Sequence, residues 1–187
     1  MNPQFVHLRL HSEFSIVDGL VRIPALMRKV SELEMPAVAL TDFSNLFALV
    51  KFYRAAISHG VKPIIGADVL ISDPDLKERY RIGLLCMNNT GYRNLTELLT
   101  RAYLEGQHGG QPTIDRNWID EFNQGLIVLS GGRDGDLGKL ILKQDTARID
   151  KCVEQWKQKF SDRFYIELQR TGREGEDVYN ERALSCN

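Results

Sequence analysis

The sequence predicts an α/β fold organised on a parallel sheet, and three observations carry that reading. Short apolar runs of strand character alternate with stretches of helical period about six times along the 187 residues. Consecutive parallel strands need a crossover between them, usually a helix. Right-handed crossovers of that kind build either an open doubly wound sheet or a (β/α) barrel. Polar residues fall at the strand ends: His11 and Ser12, Asp42, Asp68, Asn88, Ser130, Gln169 and Arg170. Parallel strands place their C-terminal ends on one face, so these groups are expected to converge on one mouth.

The first strand and the loop behind it occupy residues 5–19. Val6, Leu8 and Leu10 alternate with His7, Arg9 and His11, the period of a strand with one apolar face. Ile23, Leu26, Met27, Val30 and Leu33 then recur at helical spacing, with Pro24 in the first turn, where its missing N–H does no harm. Residues 36–42 read as a buried strand. Leu46, Leu49, Val50, Tyr53 and Ile57 mark the apolar face of a second helix, stopped by Gly60. A third strand spans 62–71, a turn 72–75 and a fourth strand 80–87. Tyr92, Leu95, Leu98, Leu99 and Ala102 define a third helix. Residues 106–112, rich in glycine, are expected to be a flexible loop. A short helix over 118–122 leads into a strand at 126–129, closed by Ser130-Gly131-Gly132. Helices are expected at 136–143 and 147–160, a sixth strand at 163–169, and a helical segment from 174 to the end.

Composition narrows the class. The length fits one domain, and 43% hydrophobic residues suffice for a sizeable core. With 24 basic against 25 acidic side chains there is no overall surplus to grip nucleic acid non-specifically. No apolar run is long enough to span a bilayer, and the start lacks the pattern of a signal peptide. Cys86, Cys152 and Cys186 are odd in number and form no CxxC, which suits a reducing compartment without a disulfide framework.

Several residue groups fit either chemistry or a plainer role. His7, Arg9 and His11 on one strand face fit a metal half-site or a polar face bonded to its neighbours; Arg9 argues against metal, because a guanidinium cannot ligate a cation. Thr41-Asp42 fits a ligand or a helix cap. Ser130-Gly131-Gly132-Arg133 fits a phosphate cradle or a tight turn. Asn88-Asn-Thr-Gly-Tyr92 reads as a strand-to-helix turn capped by Thr90. Asp68, among apolar neighbours, needs a partner, and Arg9 or Arg81 can supply it. GxGxxG, P-loop and GxSxG motifs are missing from the sequence.

Taken together, the motifs become specific. His7-Leu-Arg-Leu-His-Ser-Glu-Phe-Ser-Ile-Val-Asp-Gly19, Ala39-Leu-Thr-Asp-Phe-Ser-Asn45 and Pro63-Ile-Ile-Gly-Ala-Asp68 resemble, in order, the PHP domain of the bacterial C-family replicative polymerases, the DNA polymerase III alpha subunits. Asn88-Asn-Thr-Gly-Tyr-Arg-Asn-Leu95, Gly125-Leu-Ile-Val-Leu-Ser-Gly-Gly132 and Tyr165-Ile-Glu-Leu-Gln-Arg-Thr-Gly172 continue the match over essentially the whole chain. The resemblance implies a distorted (β/α) barrel of seven strands, here truncated to about six, with a PHP domain over residues 1–187. The last barrel strand and the polymerase palm are expected beyond residue 187. That expectation leaves the first strand as an open edge, prone to self-association or marginal stability.

Active members of the family carry a cluster of Zn, Mn or Mg ions at the barrel mouth and hydrolyse phosphoesters, in some polymerases as a 3′–5′ exonuclease. This chain departs from their pattern. Arg9-Leu10-His11 stands where they carry HxH after His7, and Asp42-Phe43 where they carry Asp-His. Asp68 replaces a Glu, Arg81 and Thr171 stand where His is usual, and Gly132 where Cys or another ligand is usual. His11, Asp18 and Asp68 survive as potential ligands. The resemblance therefore implies a degenerate site with no metal cofactor and no catalytic residue in this stretch, Arg9 and Arg81 pairing Asp18 and Asp68. It also implies a scaffold that docks a separate proofreading exonuclease subunit. The parent chain is then a cytoplasmic, Mg-dependent DNA polymerase that meets DNA through its remaining domains and touches no membrane. The competing readings are a metal-dependent phosphoesterase with a residual site and a free-standing histidinol-phosphatase-like enzyme.

Overall fold

Residues 5–16, 18–73 and 78–185 are described in the structure, a computed structural model. The chain divides into two units, residues 1–68 and 69–187. The first contains α1 (Ile23–Glu32), β1 (Ala37–Leu40), α2 (Leu49–Ser58) and the first part of β2 (Lys62–Ser72). β1 runs parallel to β2, from Ala37 opposite Lys62 to Leu40 opposite Ile65. α1 begins at the expected proline and buries Ile23, Leu26, Met27 and Val30. These pack with Val38, Leu40, Phe52, Ala56 and Val61 into one core.

Two expectations fail in this unit. Residues 5–11 form no strand, although they run beside β1. His7 O accepts from Ala39 N (2.8 Å) and Leu10 O from Thr41 N (2.9 Å). Three residues on one side span two on the other, a bulge that breaks the ladder, and Leu8 is left exposed. An open edge on a first strand therefore has no basis here. The buried face of α2 is also not the expected one. Ala48, Phe52 and Ala56 face the core, whereas Val50, Tyr53 and Ile57 are exposed. The small alanines let the helix approach closely, and Phe52 fills the remaining space.

The second unit carries the rest of β2, β3 (Tyr80–Cys86), α3 (Asn89–Leu104), β4 (Gln107–His108) and β5 (Gln111–Asp115). After them come α4 (Arg116–Glu121), β6 (Leu126–Leu129), α5 (Asp136–Lys143), α6 (Thr146–Phe160), β7 (Phe164–Tyr165) and α7 (Glu176–Ala183). The strand order is β4-β5-β2-β3-β6-β7, with β1 paired to β2 off this path. The α/β class holds, and the described residues form seven strands where about six were expected. The sheet is not wholly parallel: β2–β5 and β6–β7 are parallel, but β3–β6 and β4–β5 are antiparallel. The cause lies between β2 and β3, neighbours in the sheet joined by only seven residues, too few for the crossover that parallel neighbours need, so β3 is the reversed strand and β6 lies antiparallel to it. The connection from β3 to β6 holds α3, the β4–β5 hairpin and α4.

The hairpin occupies residues 106–112, expected as a flexible loop. Gly109 and Gly110 have φ of +61° and +76°, which the tight turn of a two-residue hairpin demands and side-chain-bearing residues resist. α3 is capped two residues earlier than expected, by Asn88, whose side chain accepts from Gly91 N at 3.0 Å. The strand expected at 163–169 is only Phe164–Tyr165. Beyond it the backbone bonds to side chains, Glu167 N to Ser130 Oγ (2.9 Å) and Gln169 O to Asn180 Nδ2 (2.6 Å), so no ladder continues. α5, α6 and α7 lie where helices were expected; part of the turn at 72–75, Cys186 and Asn187 lie outside the described residues.

Candidate functional site

Five expected site residues meet in the first unit, at the end of β1 and within β2. Asp68, fully buried, forms an isolated parallel bridge with Phe43. Its Oδ2 accepts from Arg9 Nη2 at 2.5 Å and lies 3.1 Å from His11 Nε2. The other ring nitrogen of His11, Nδ1, lies 3.0 Å from Asp18 Oδ1. His11 thus sits between two carboxylates, and Asp68 between two nitrogen bases. His7 falls outside this group: it is exposed and stands edge-on to the Phe5 ring, centroids 4.8 Å apart.

Asp42 is buried and turned to the loop instead. Its Oδ1 accepts from Ser12 N (2.6 Å) and Ser15 Oγ (3.1 Å), its Oδ2 from Ser12 Oγ (2.8 Å). Ser15 Oγ in turn accepts from Phe43 N at 2.9 Å. Asp42 is therefore not a cap for α2; its carboxylate is given to the serine loop. Ser12 and Ser15 were not singled out as a pair. Their signal in the sequence is weak: two small hydroxyls three apart in a polar loop, which gain meaning only once Asp42 is brought to them.

The remaining three expected residues lie in the second unit, each in its own setting. Arg81 is half-buried on β3, and its carbonyl is approached so closely by Gly131 that a Cβ there would come within 2.0 Å. That contact explains Ser130-Gly131-Gly132 as a turn. Gly132 is buried against the Gln169 side chain. Thr171 donates its hydroxyl to Glu176, and its N–H reaches the same carboxylate at 2.7 Å. Gly172 N donates there too, at 2.9 Å, so Glu176 fills the row of amides ahead of α7. These hydrogen bonds, that of Thr171 foremost, hold the Glu176 carboxyl below its usual pKa.

Electrostatics in the first unit favour a charged cluster. Burial alone would push the His11 pKa down, but the hydrogen bonds and charges of Asp68 and Asp18 outweigh it and raise it above 6.5. Burial alone would raise the Asp68 pKa, but His11 and Arg9 lower it. The sign of the linkage follows. The stability from His11 is fully present below its unfolded pKa near 6.5 and is lost as pH rises through the higher folded value. That from Asp68 is present above its unfolded pKa near 3.8 and is lost as pH falls through the lower folded value. Urea denaturation across the pH range should show a decline on the alkaline side of 6.5 that His11→Gln removes, and the His11 ring protons should titrate above 6.5 by NMR. An unchanged alkaline limb in His11→Gln would mean that the ring is not the group responsible.

Residues 7–171 match the PHP domain family. DNA polymerase III subunit alpha of Vibrio cholerae is 50% identical over 184 residues, covering 98% of this chain and 16% of the relative. The protein of the same name from Escherichia coli K12 is 48% identical over 183 residues, covering 97% of this chain and again 16% of the relative. This chain therefore spans about one sixth of the length of the relatives it matches. Among solved structures, a putative metal-dependent phosphoesterase from Bifidobacterium adolescentis aligns over 54% of this chain and 34% of its own, with 14% identity and a TM-score of 0.43. No helix among the described residues is long and apolar enough to cross a membrane. The match over residues 7–171 decides the matter, and the chain belongs to the PHP domain family.

Proposed function

We propose that this domain is the PHP module of a DNA-directed DNA polymerase, a DNA polymerase III alpha subunit acting in chromosomal replication in the cytoplasm. In this reading its metal site is degenerate, and the module is a structural scaffold and a docking surface for the proofreading exonuclease subunit. The Mg-dependent palm belongs to the remainder of the polymerase chain, which is the part that meets DNA.

One observation carries the reading: Asp68 Oδ2 is held by Arg9 Nη2 at 2.5 Å. Two of the other candidate ligands are also engaged. His11 has a carboxylate on each ring nitrogen, and a doubly protonated ring offers no lone pair. The Asp42 oxygens take three donors from the serine loop, and Phe43 has no donor atom. The side chains present therefore do not fit the Zn, Mn or Mg cluster of active family members. A fixed guanidinium supplies positive charge beside the carboxylate where those members use a cation.

One feature favours the alternative of a residual phosphoesterase or 3′–5′ exonuclease site. His11, Asp18 and Asp68 still stand together. The test is an exonuclease assay on single-stranded DNA with Mn²⁺, Mg²⁺ or Zn²⁺, beside metal analysis of the purified chain. The scaffold reading expects nuclease release at the blank level and no di- or trinuclear metal content. Activity that survives repurification and vanishes in His11→Ala would establish the alternative. Pull-down of the exonuclease subunit by the complete PHP domain is the positive counterpart.

A further inference from the structure

The outward face of α2 is built like a binding face. Val50 is 61% exposed, Tyr53 52% and Ile57 57%, and Phe47, in the turn entering the helix, is 63% exposed. At 3.6 residues per turn Val50, Tyr53 and Ile57 fall on one side of the helix, opposite Phe52 and Ala56 in the core, and Phe47 adds an exposed ring at the entry. The helix is therefore apolar on both faces, with Phe52 and Ala56 inside and Val50, Tyr53 and Ile57 outside. Scattered exposed apolar residues are ordinary, but a continuous stripe of large ones marks an interaction surface.

Charge selects the occupant. Residues 43–67 contain Lys51, Arg54 and Lys62 and no Asp or Glu. Arg54 stands exposed within the stripe, one turn after Val50 and three residues before Ile57. Lys51 borders it, with Glu13 at 3.7 Å from its ammonium. Two copies of this face packed together would set Arg54 and Lys51 against their own kind, so self-pairing is disfavoured. A negatively charged apolar partner meets no such opposition.

We propose that the outer face of α2 docks an acidic amphipathic helical segment of a partner protein. Apolar side chains at i, i+3 or i+4 and i+7 of that segment would cover Phe47, Val50, Tyr53 and Ile57, and flanking carboxylates would meet Arg54 and Lys51. This surface is distinct from the Arg9–Asp68 cluster, so the docking face and the metal-site reading fail separately.

The test uses the 187-residue chain and two synthetic amphipathic helices with the same leucine stripe, one flanked by glutamates and one by lysines. Binding is followed by fluorescence anisotropy and by NMR shifts of Val50 and Ile57. The glutamate peptide should bind at least about tenfold more tightly than the lysine peptide. Val50→Asp with Ile57→Asp should abolish binding while circular dichroism and the melting temperature stay near wild type. Arg54→Glu should reverse the peptide preference, a result that a merely sticky surface would not give. Equal binding of both peptides, binding of neither, or shifts confined to other residues would overturn the proposal. So would dimerisation in sedimentation that Ile57→Asp removes, or binding of Val50 and Ile57 to anionic phospholipid vesicles in place of the glutamate peptide.

Discussion

Arg9→Ala should destabilise the chain by about 3 kcal/mol, near the low end for a broken buried ion pair. Asp68 is fully buried, and its Oδ2 sits 2.5 Å from the guanidinium. Removing Arg9 takes a cation away from that buried carboxylate, while the His11 ring that it shares with Asp18 stays in place. The full range for such a loss is about 3–5 kcal/mol. The Arg9 side chain keeps 18% of its surface in solvent, which screens the pair and argues for the lower figure. Arg9→Lys should recover part of the loss, because an ammonium restores charge without the planar fork. A double-mutant cycle with Asp68→Asn, read by urea denaturation, isolates the coupling. A coupling near zero would mean that the pair is solvated and that Arg9 has not replaced a metal charge. The same cycle connects stability to function, because the pair is also what makes the site unfit for cations.

Local patterns in the sequence determined the elements that local physics determines. α1 and α5 begin where expected and α6 within a residue of it, because each has a stripe of apolar residues at helical spacing and a clear entry. That Asp68 needs a cation, with Arg9 or Arg81 as the candidate, was also legible, since a buried carboxylate needs a partner. The failures share a cause: which partner a face or edge meets is a tertiary fact. The stripe Val50, Tyr53 and Ile57 is as good a core face by periodicity as Ala48, Phe52 and Ala56. Only the close approach allowed by the alanines decides between them. The alternation over residues 5–10 promised a strand, but the bulge against β1 depends on where Thr41 falls. The Gly109-Gly110 turn was visible as glycine yet read as looseness, because its two short strands have almost no apolar pattern of their own. Asp42 looked like a ligand or a cap, and nothing local reveals that Ser12 and Ser15 claim it.

The largest loss should come from Arg116→Ala, about 4 kcal/mol, in the second unit. Arg116 leaves β5 at the start of α4 and is almost buried. Its Nη1 lies 2.6 Å from Asp73 Oδ2 and 3.6 Å from Asp136 Oδ2, and 3.3 Å from the Tyr80 hydroxyl. Nη2 donates to Gln155 Oε1 at 3.2 Å, and the guanidinium stacks over Trp156 with 5.1 Å to the centroid. Asp136, buried beneath it, also accepts from Trp156 Nε1 (2.9 Å) and Leu137 N (2.7 Å). Burial already raises the Asp136 pKa, with Trp156, Leu137 and Arg116 working against it. Truncating Arg116 leaves two buried carboxylates short of a cation, the costly direction for an ion pair, at about 3–5 kcal/mol. It also removes packing against Trp156. The pH dependence distinguishes the causes. Without Arg116 the Asp136 pKa rises further above its unfolded value, so the folded state binds a proton the unfolded state releases. The variant should therefore recover stability as pH falls from neutrality toward the unfolded carboxylate value near 3.8, by more than wild type does. Arg116→Met with Asp73→Asn should recover part of the loss at neutral pH, since one charge and its partner leave together. A loss below about 2 kcal/mol, half the expected value, with no recovery at low pH would mean that water reaches Asp73 and Asp136 and that this network contributes little to the fold.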